Sequence, residues 1–133
     1  MARTEAQKRD AAKDARLRLF FRTSLEEYQV IEAYQEQEED YSVLLGTTRR
    51  GLDHDHKSGL VRGVLDWRIN RALGIIENAF GWEKAADVCR ALAAYLECPP
   101  AILALGVYRY GLIGKAQRKR KMVYGPPVEK KNA

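Results

Sequence analysis

Both histidines of the chain fall in one tetrapeptide, Asp53-His54-Asp55-His56. A neutral imidazole takes a proton from water near neutral pH, and a carboxylate oxygen suits a hard cation such as Mg²⁺ or Mn²⁺. Hydrolysis of a phosphodiester needs those two parts: a base that activates the attacking water, and a cation that stabilises charge on the phosphate and the leaving oxygen. In a strand, alternation puts Asp53 and Asp55 on one face and His54 and His56 on the other. A bend at the motif is then needed to bring Asp53 and His54 around one substrate. Taken alone, the same residues also make an ordinary polar surface turn carrying solvated histidines.

The elements that must position this motif read as a hairpin between helices. Gly51 and Gly59 punctuate the motif's surroundings, and Leu60–Leu65 reads as a second strand, so Asp53–His56 sits near the hairpin's first arm. Tyr41–Gly46 reads as a short apolar strand or turn closed by glycine. Helical periodicity resumes at Asn70, with Leu73, Ile76 and Phe80 on one face, and a ββα unit over roughly 43–80 follows. After Gly81 a helix runs from Trp82 to Glu97, with Ala85, Val88, Cys89, Leu92, Tyr95 and Leu96 facing inward, until Pro99-Pro100 stops it. Upstream, residues 3–22 read as a helix of mixed charge, and Ser24-Leu25-Glu26-Glu27 is a capping box opening another, with Leu25, Tyr28, Ile31 and Tyr34 on one face.

A chain of 133 residues suffices for one domain with a modest core. Its apolar runs fall short of the roughly 20 residues that span a bilayer, and the charged start has no signal-peptide character. A cytoplasmic protein without a membrane partner is expected. Cys89 and Cys98 are too few for a disulfide framework or a four-cysteine zinc site, and read as buried reduced thiols. Residues 1–22 carry seven bases and three acids, residues 25–40 seven acids and no base, and residues 103–133 eight bases and one acid. Basic ends around an acidic stretch suit a polyanion partner, although solvated tails have the same composition.

The stretch from Leu52-Asp53-His54-Asp55-His56 through Lys57-Ser58-Gly59-Leu60-Val61-Arg62-Gly63-Val64-Leu65 to Asn70-Arg71-Ala72-Leu73-Gly74 resembles the endonuclease VII branch of the HNH (ββα-metal, His-Me finger) nucleases. Glu27-Tyr28 and Gln35 upstream, and Tyr95-Leu96-Glu97-Cys98-Pro99-Pro100-Ala101 downstream, extend the likeness over about 24–101. The resemblance implies an α+β, mostly α fold: a nuclease domain at 24–102 with a small ββα-metal core flanked by helices, a basic arm at 1–23 and a basic extension at 103–133. It implies a metal-dependent DNA endonuclease leaving 5′-phosphate and 3′-hydroxyl ends on double-stranded or branched DNA. Asp53 and Asn70 would hold Mg²⁺ or Mn²⁺, His54 would be the general base, and His56 would help position the phosphate or the water. Lys57 and Arg62 are candidate phosphate contacts, with a structural salt bridge as the other use of Arg62. The run Arg118-Lys119-Arg120-Lys121, beside Tyr108, Tyr110 and Tyr124, is a further candidate for phosphate and base contacts.

The family usually holds its site on zinc bound by cysteine pairs, and at those positions this sequence has Ser42, Leu45, Asp66 and Ile69. No structural zinc is expected. Leu45, Ile69 and Trp67 are expected to replace it by apolar packing, with Trp67 burying on the order of 200 Å². A phage origin, a host bacterial cytoplasm and a homodimer fit the resemblance. A catalytically inactive, DNA-binding phage accessory protein that kept the fold is the alternative.

Overall fold

Capping boxes open the first two helices. Gln7 N–H donates to Thr4 Oγ1 at 3.2 Å while Thr4 N–H donates to Gln7 Oε1 at 2.9 Å. Ser24 and Glu27 repeat the exchange at 3.1 and 3.0 Å, so each first turn has partners for donors that the helix itself leaves free. Helix α1 spans Glu5–Phe21 and α2 spans Leu25–Gln37. Arg22, in the left-handed region at φ 50°, turns the chain between them. Asp14 fixes the turn from within α1 by accepting the Leu25 N–H at 2.8 Å, a bond that, with Arg18, holds its carboxyl below the usual range. The helices meet through Leu17 and Tyr28, and burial, with Glu32 nearby, pushes the Tyr28 hydroxyl up to about 12.

The computed structural model describes residues 1–112 and the strand at 124–127, so the basic run Arg118-Lys119-Arg120-Lys121 lies outside the described residues. The chain forms two compact units, 1–85 and 86–133. In the first, α2 is followed by α3 (Glu39–Ser42), a 3₁₀ turn (Val43–Leu45), the antiparallel strands β1 (Arg50–His54) and β2 (Val61–Asp66), and α4 (Trp67–Phe80). Helix α5 (Trp82–Glu97) begins in this unit. The second holds most of α5, then α6 (Pro100–Leu105) and β3 (Val107–Arg109), paired antiparallel with β4 (Tyr124–Pro127). This is the α+β, mostly α fold that the sequence implies.

One face of the hairpin supplies the core. Leu52 and Val64 are cross-strand partners and pack with Leu17, Tyr28 and Leu45. The hairpin is tied to α2 by a side chain acting as a strand residue. Val64 N–H donates to Gln35 Oε1 at 2.6 Å, and Gln35 Nε2 donates to Val64 O at 2.9 Å. Gln35 thus satisfies buried backbone groups that β1 does not reach. Gly63 leaves the room it needs, since a Cβ there would stand 2.9 Å from Gln35 Oε1.

Several local readings change. Of the two readings of Tyr41–Gly46, strand or turn, the turn is the one formed: helical turns closed by Gly46 deliver Leu45 (2% exposed) into the core. Helix α4 starts at Trp67, not Asn70, because Asp66 caps it by accepting the Arg68 N–H at 2.8 Å. Trp67 is then a first-turn residue, 47% exposed, and does not supply the expected burial. Tyr34, Phe80, Leu92, Tyr95 and Leu96 are exposed as well, as is Cys98, so apolar periodicity in these helices overstated their buried faces.

Asp66 holds the corner where the 3₁₀ turn, Gly46 and the end of β2 come together. Fully buried, it accepts from Thr48 Oγ1 at 2.7 Å and from Arg68 Nε and Nη2 at 3.0 Å each. These bonds, Arg68 first and then Thr48, keep its carboxyl well below the usual range. Gly46, at φ 56° and ψ −162°, lies against that carboxylate, and a Cβ there would come 2.8 Å from the Asp66 Cβ. Gly46→Ala therefore combines a backbone conformation almost confined to glycine with a collision, and should cost more than about 2 kcal/mol in urea unfolding. A loss below about 0.5 kcal/mol would mean that this corner adapts freely.

Candidate active site

The hairpin register slips at the motif. Asp53 pairs with Gly63 but His54 pairs with Val61, leaving Arg62 as an extra residue on β2. Such a bulge bends the strand and re-aims a side chain. Here the re-aimed side chain is Arg62, which crosses to Asp53. Its Nε donates to Asp53 Oδ2 at 2.7 Å and its Nη2 to Oδ1 at 3.2 Å. Nη1 and Nη2 also donate to Glu77 Oε2 and Oε1 at 3.0 and 3.1 Å. The Asp53 and Glu77 side chains are each 5% exposed and that of Arg62 is 30% exposed. Glu77, then Asp53, makes the guanidinium harder still to deprotonate. Of the two uses considered for Arg62, the salt bridge is the one formed.

Asp53 and His54 leave β1 on opposite faces, as alternation requires. The Asp53 face belongs to α4, which packs on both strands and brings Glu77. With Arg62, Gly63, Leu65, Gln35 and Leu73, Asp53 lines a groove of about 480 Å³. Asn70 stands in α4 two turns before Glu77, so it shares the helix face that carries Leu73 and Glu77. The other face carries a row of rings. Phe21 meets His54 edge-on with centroids 5.1 Å apart, His54 lies 4.8 Å from His56, and His56 lies 6.4 Å from Trp82. Among the described residues neither imidazole has a hydrogen-bonded partner, so their nitrogens remain open for proton transfer.

The turn after the motif is set by Asp55, which accepts the Lys57 and Ser58 N–H groups at 2.7 and 3.0 Å. The Ser58 bond, then the Lys57 bond, lowers its carboxyl below the usual range. Asp55 is thereby a turn former. Lys57 is exposed and pairs with Glu83 at 3.3 Å. Tyr108 and Tyr110, in the second unit, stack with centroids 6.4 Å apart.

Sequence reasoning missed Glu77, Phe21 and Trp82. Glu77 left a signal: a lone acid on the apolar face of α4, four residues after Leu73 and seven after Asn70. The ring contacts left none, since they join residues far apart in the chain.

The model of the recombination endonuclease VII family matches residues 14–98, more than half of the chain. The chain belongs to the endonuclease VII family. Membership makes it a nuclease, a hydrolase acting on DNA. The match takes in α1 from Asp14 onward, the hairpin, α4 and α5, and so every element that carries the motif and its neighbours. No curated protein and no solved structure matches the chain. Among the described residues no helix is long and apolar enough to cross a membrane.

Whether a cation suits this site rests on the donors. Among the described residues no cluster of three or more histidine, cysteine or acidic groups could enclose a metal ion. The pair offered, the Asp53 carboxylate and the Asn70 amide, is instead a sparse hard-oxygen set, of the kind Mg²⁺ accepts while keeping several waters. A carboxylate has about four acceptor directions, and Arg62 uses one on each Asp53 oxygen. By donor type, the two residues suit a hard divalent cation such as Mg²⁺ or Mn²⁺.

Proposed function

We propose that this endonuclease VII-family nuclease is an HNH-type, divalent-metal-dependent DNA endonuclease that leaves 5′-phosphate and 3′-hydroxyl ends. The observation that supports it best is the end of β1, where the bulge turns Arg62 onto the Asp53 carboxylate and the next residue, His54, presents an imidazole with no hydrogen-bonded partner among the described residues. His54 removes a proton from water as it attacks phosphorus, and His56, 4.8 Å away, helps orient that water or the phosphate. Phe21 limits the tilt of the His54 ring. Asp53 and Asn70 would hold Mg²⁺ or Mn²⁺, which supplies charge stabilisation at the phosphate and the departing 3′ oxygen. Arg62 and Glu77 fix the direction of the Asp53 carboxylate. No structural zinc takes part in this reading: Leu45 and the Asp66 hydrogen bonds hold the corner. Duplex or branched DNA is the substrate, Arg118-Lys119-Arg120-Lys121 adds phosphate affinity, and a homodimer would bring two sites to one junction.

The test compares cleavage of supercoiled plasmid and of a synthetic four-way junction, with Mg²⁺, Mn²⁺ or EDTA. Cutting with either metal and none in EDTA is expected, and preference for the junction would mark a resolving enzyme. Undiminished cutting in EDTA would remove the metal from the mechanism. DNA binding without cutting under any metal would favour a non-catalytic accessory protein.

A further inference from the structure

A second groove, of about 340 Å³, opens on the His54 side of the hairpin, between α1 and the start of β1. Its walls carry Lys13, Arg16, Arg49 and Arg50 beside Phe20 and Phe21, and no acid lines it. Two of these cations are engaged. Arg50 pairs with Glu32 and Glu36 at 3.2 Å each, and Lys13 Nζ sits 4.0 Å over the Tyr28 ring. Arg16 and Arg49 make no ion pair among the described residues. Phe20 stands one helical turn after Arg16, on the same side of α1, and is 68% exposed. The floor is open at Gly51, where nothing lies within 4 Å of a would-be Cβ. Phe21 belongs both to the groove and to the ring contact with His54, so the groove runs up to the candidate base.

Free cations facing an acid-free groove match phosphates, and an exposed ring at its rim matches the face of an unpaired base. Neither feature is needed by the fold, since Arg16 and Phe20 are exposed and the core beneath is closed by Leu17 and Leu52. We propose that this groove holds one strand of the DNA substrate, with its phosphates on Arg16 and Arg49 and an unpaired base stacked on Phe20, and leads that strand to His54. The assignment rests on the nuclease reading and adds to it the residues that hold the strand: Arg16, Arg49 and Phe20.

The experiment is fluorescence anisotropy with a labelled single strand and the matching duplex, in EDTA so that nothing is cut, over a salt series. Wild type is compared with Arg16→Ala/Arg49→Ala and with Phe20→Ala, each checked by thermal melting and sedimentation. The double arginine variant should weaken both ligands and flatten the log K against log salt slope by roughly 1.5. Phe20→Ala should weaken the single strand about tenfold and the duplex much less. Wild-type binding in both variants would overturn the groove and leave the nuclease reading standing. Absence of DNA binding by wild type would overturn both. A change of oligomeric state in Phe20→Ala, with unaltered DNA affinity, would reassign the ring to contact with a second copy.

Discussion

Replacing Arg62 with methionine should lower the unfolding free energy by about 3–5 kcal/mol, toward the lower end because water reaches the site. The guanidinium touches water (30% exposed), but the Asp53 and Glu77 side chains it joins are each 5% exposed. Methionine keeps most of the stem and removes only the charge and the donors. Two buried carboxylates are then left facing one another with no cation between them. Their mutual repulsion is then added to the cost of burying each charge without a partner. Urea unfolding of the variant and wild type reads the difference directly. Glu77→Leu in the same background should recover part of the loss, since an apolar side chain leaves no charge unpaired. A gap below about 1 kcal/mol would show that water already screens the triad.

This triad also marks how far the sequence can be read. The capping box at Ser24, the second strand around Val64 and the stop at Pro99 are local: each is decided within a few residues, and α5 accordingly has the expected bounds. What could not be read depends on groups brought from a distance. In sequence Tyr41–Gly46 is open between strand and turn, and the buried Asp66 carboxylate and Leu45 decide for helical turns with a tight return at Gly46. Asp66 lies just past the strand read at Leu60–Leu65, and only its bonds to Arg68 reveal it as the cap that starts α4. The motif itself was legible as chemistry, because both histidines sit in it. Its surroundings were not. The bulge that turns Arg62 onto Asp53 is a matter of register, and spacing along one strand does not encode it. Periodicity also reports which helix face is apolar without reporting how much of that face is covered, and so Leu92, Tyr95 and Leu96 remain exposed.

The same geometry separates the chemistry at His54 from the stability at Arg62. His54→Ala should lower the cleavage rate by about 10²–10⁴-fold, the usual worth of a positioned general base. It should leave the melting temperature and DNA affinity close to wild type. The half-buried His54 ring has no hydrogen-bonded partner among the described residues and touches the fold through Phe21 and His56. Its removal therefore orphans no buried polar group, unlike removal of Arg62. His56→Ala should cost less, because His56 is exposed and one ring further from Phe21, where it orients rather than abstracts. The ordering decides the assignment. If His56→Ala is the more damaging while both variants fold, the base is His56 and His54 is the spacer that holds it against Phe21. If neither slows a metal-dependent wild-type activity, the water is activated by another group, and the row from Phe21 to Trp82 serves packing alone.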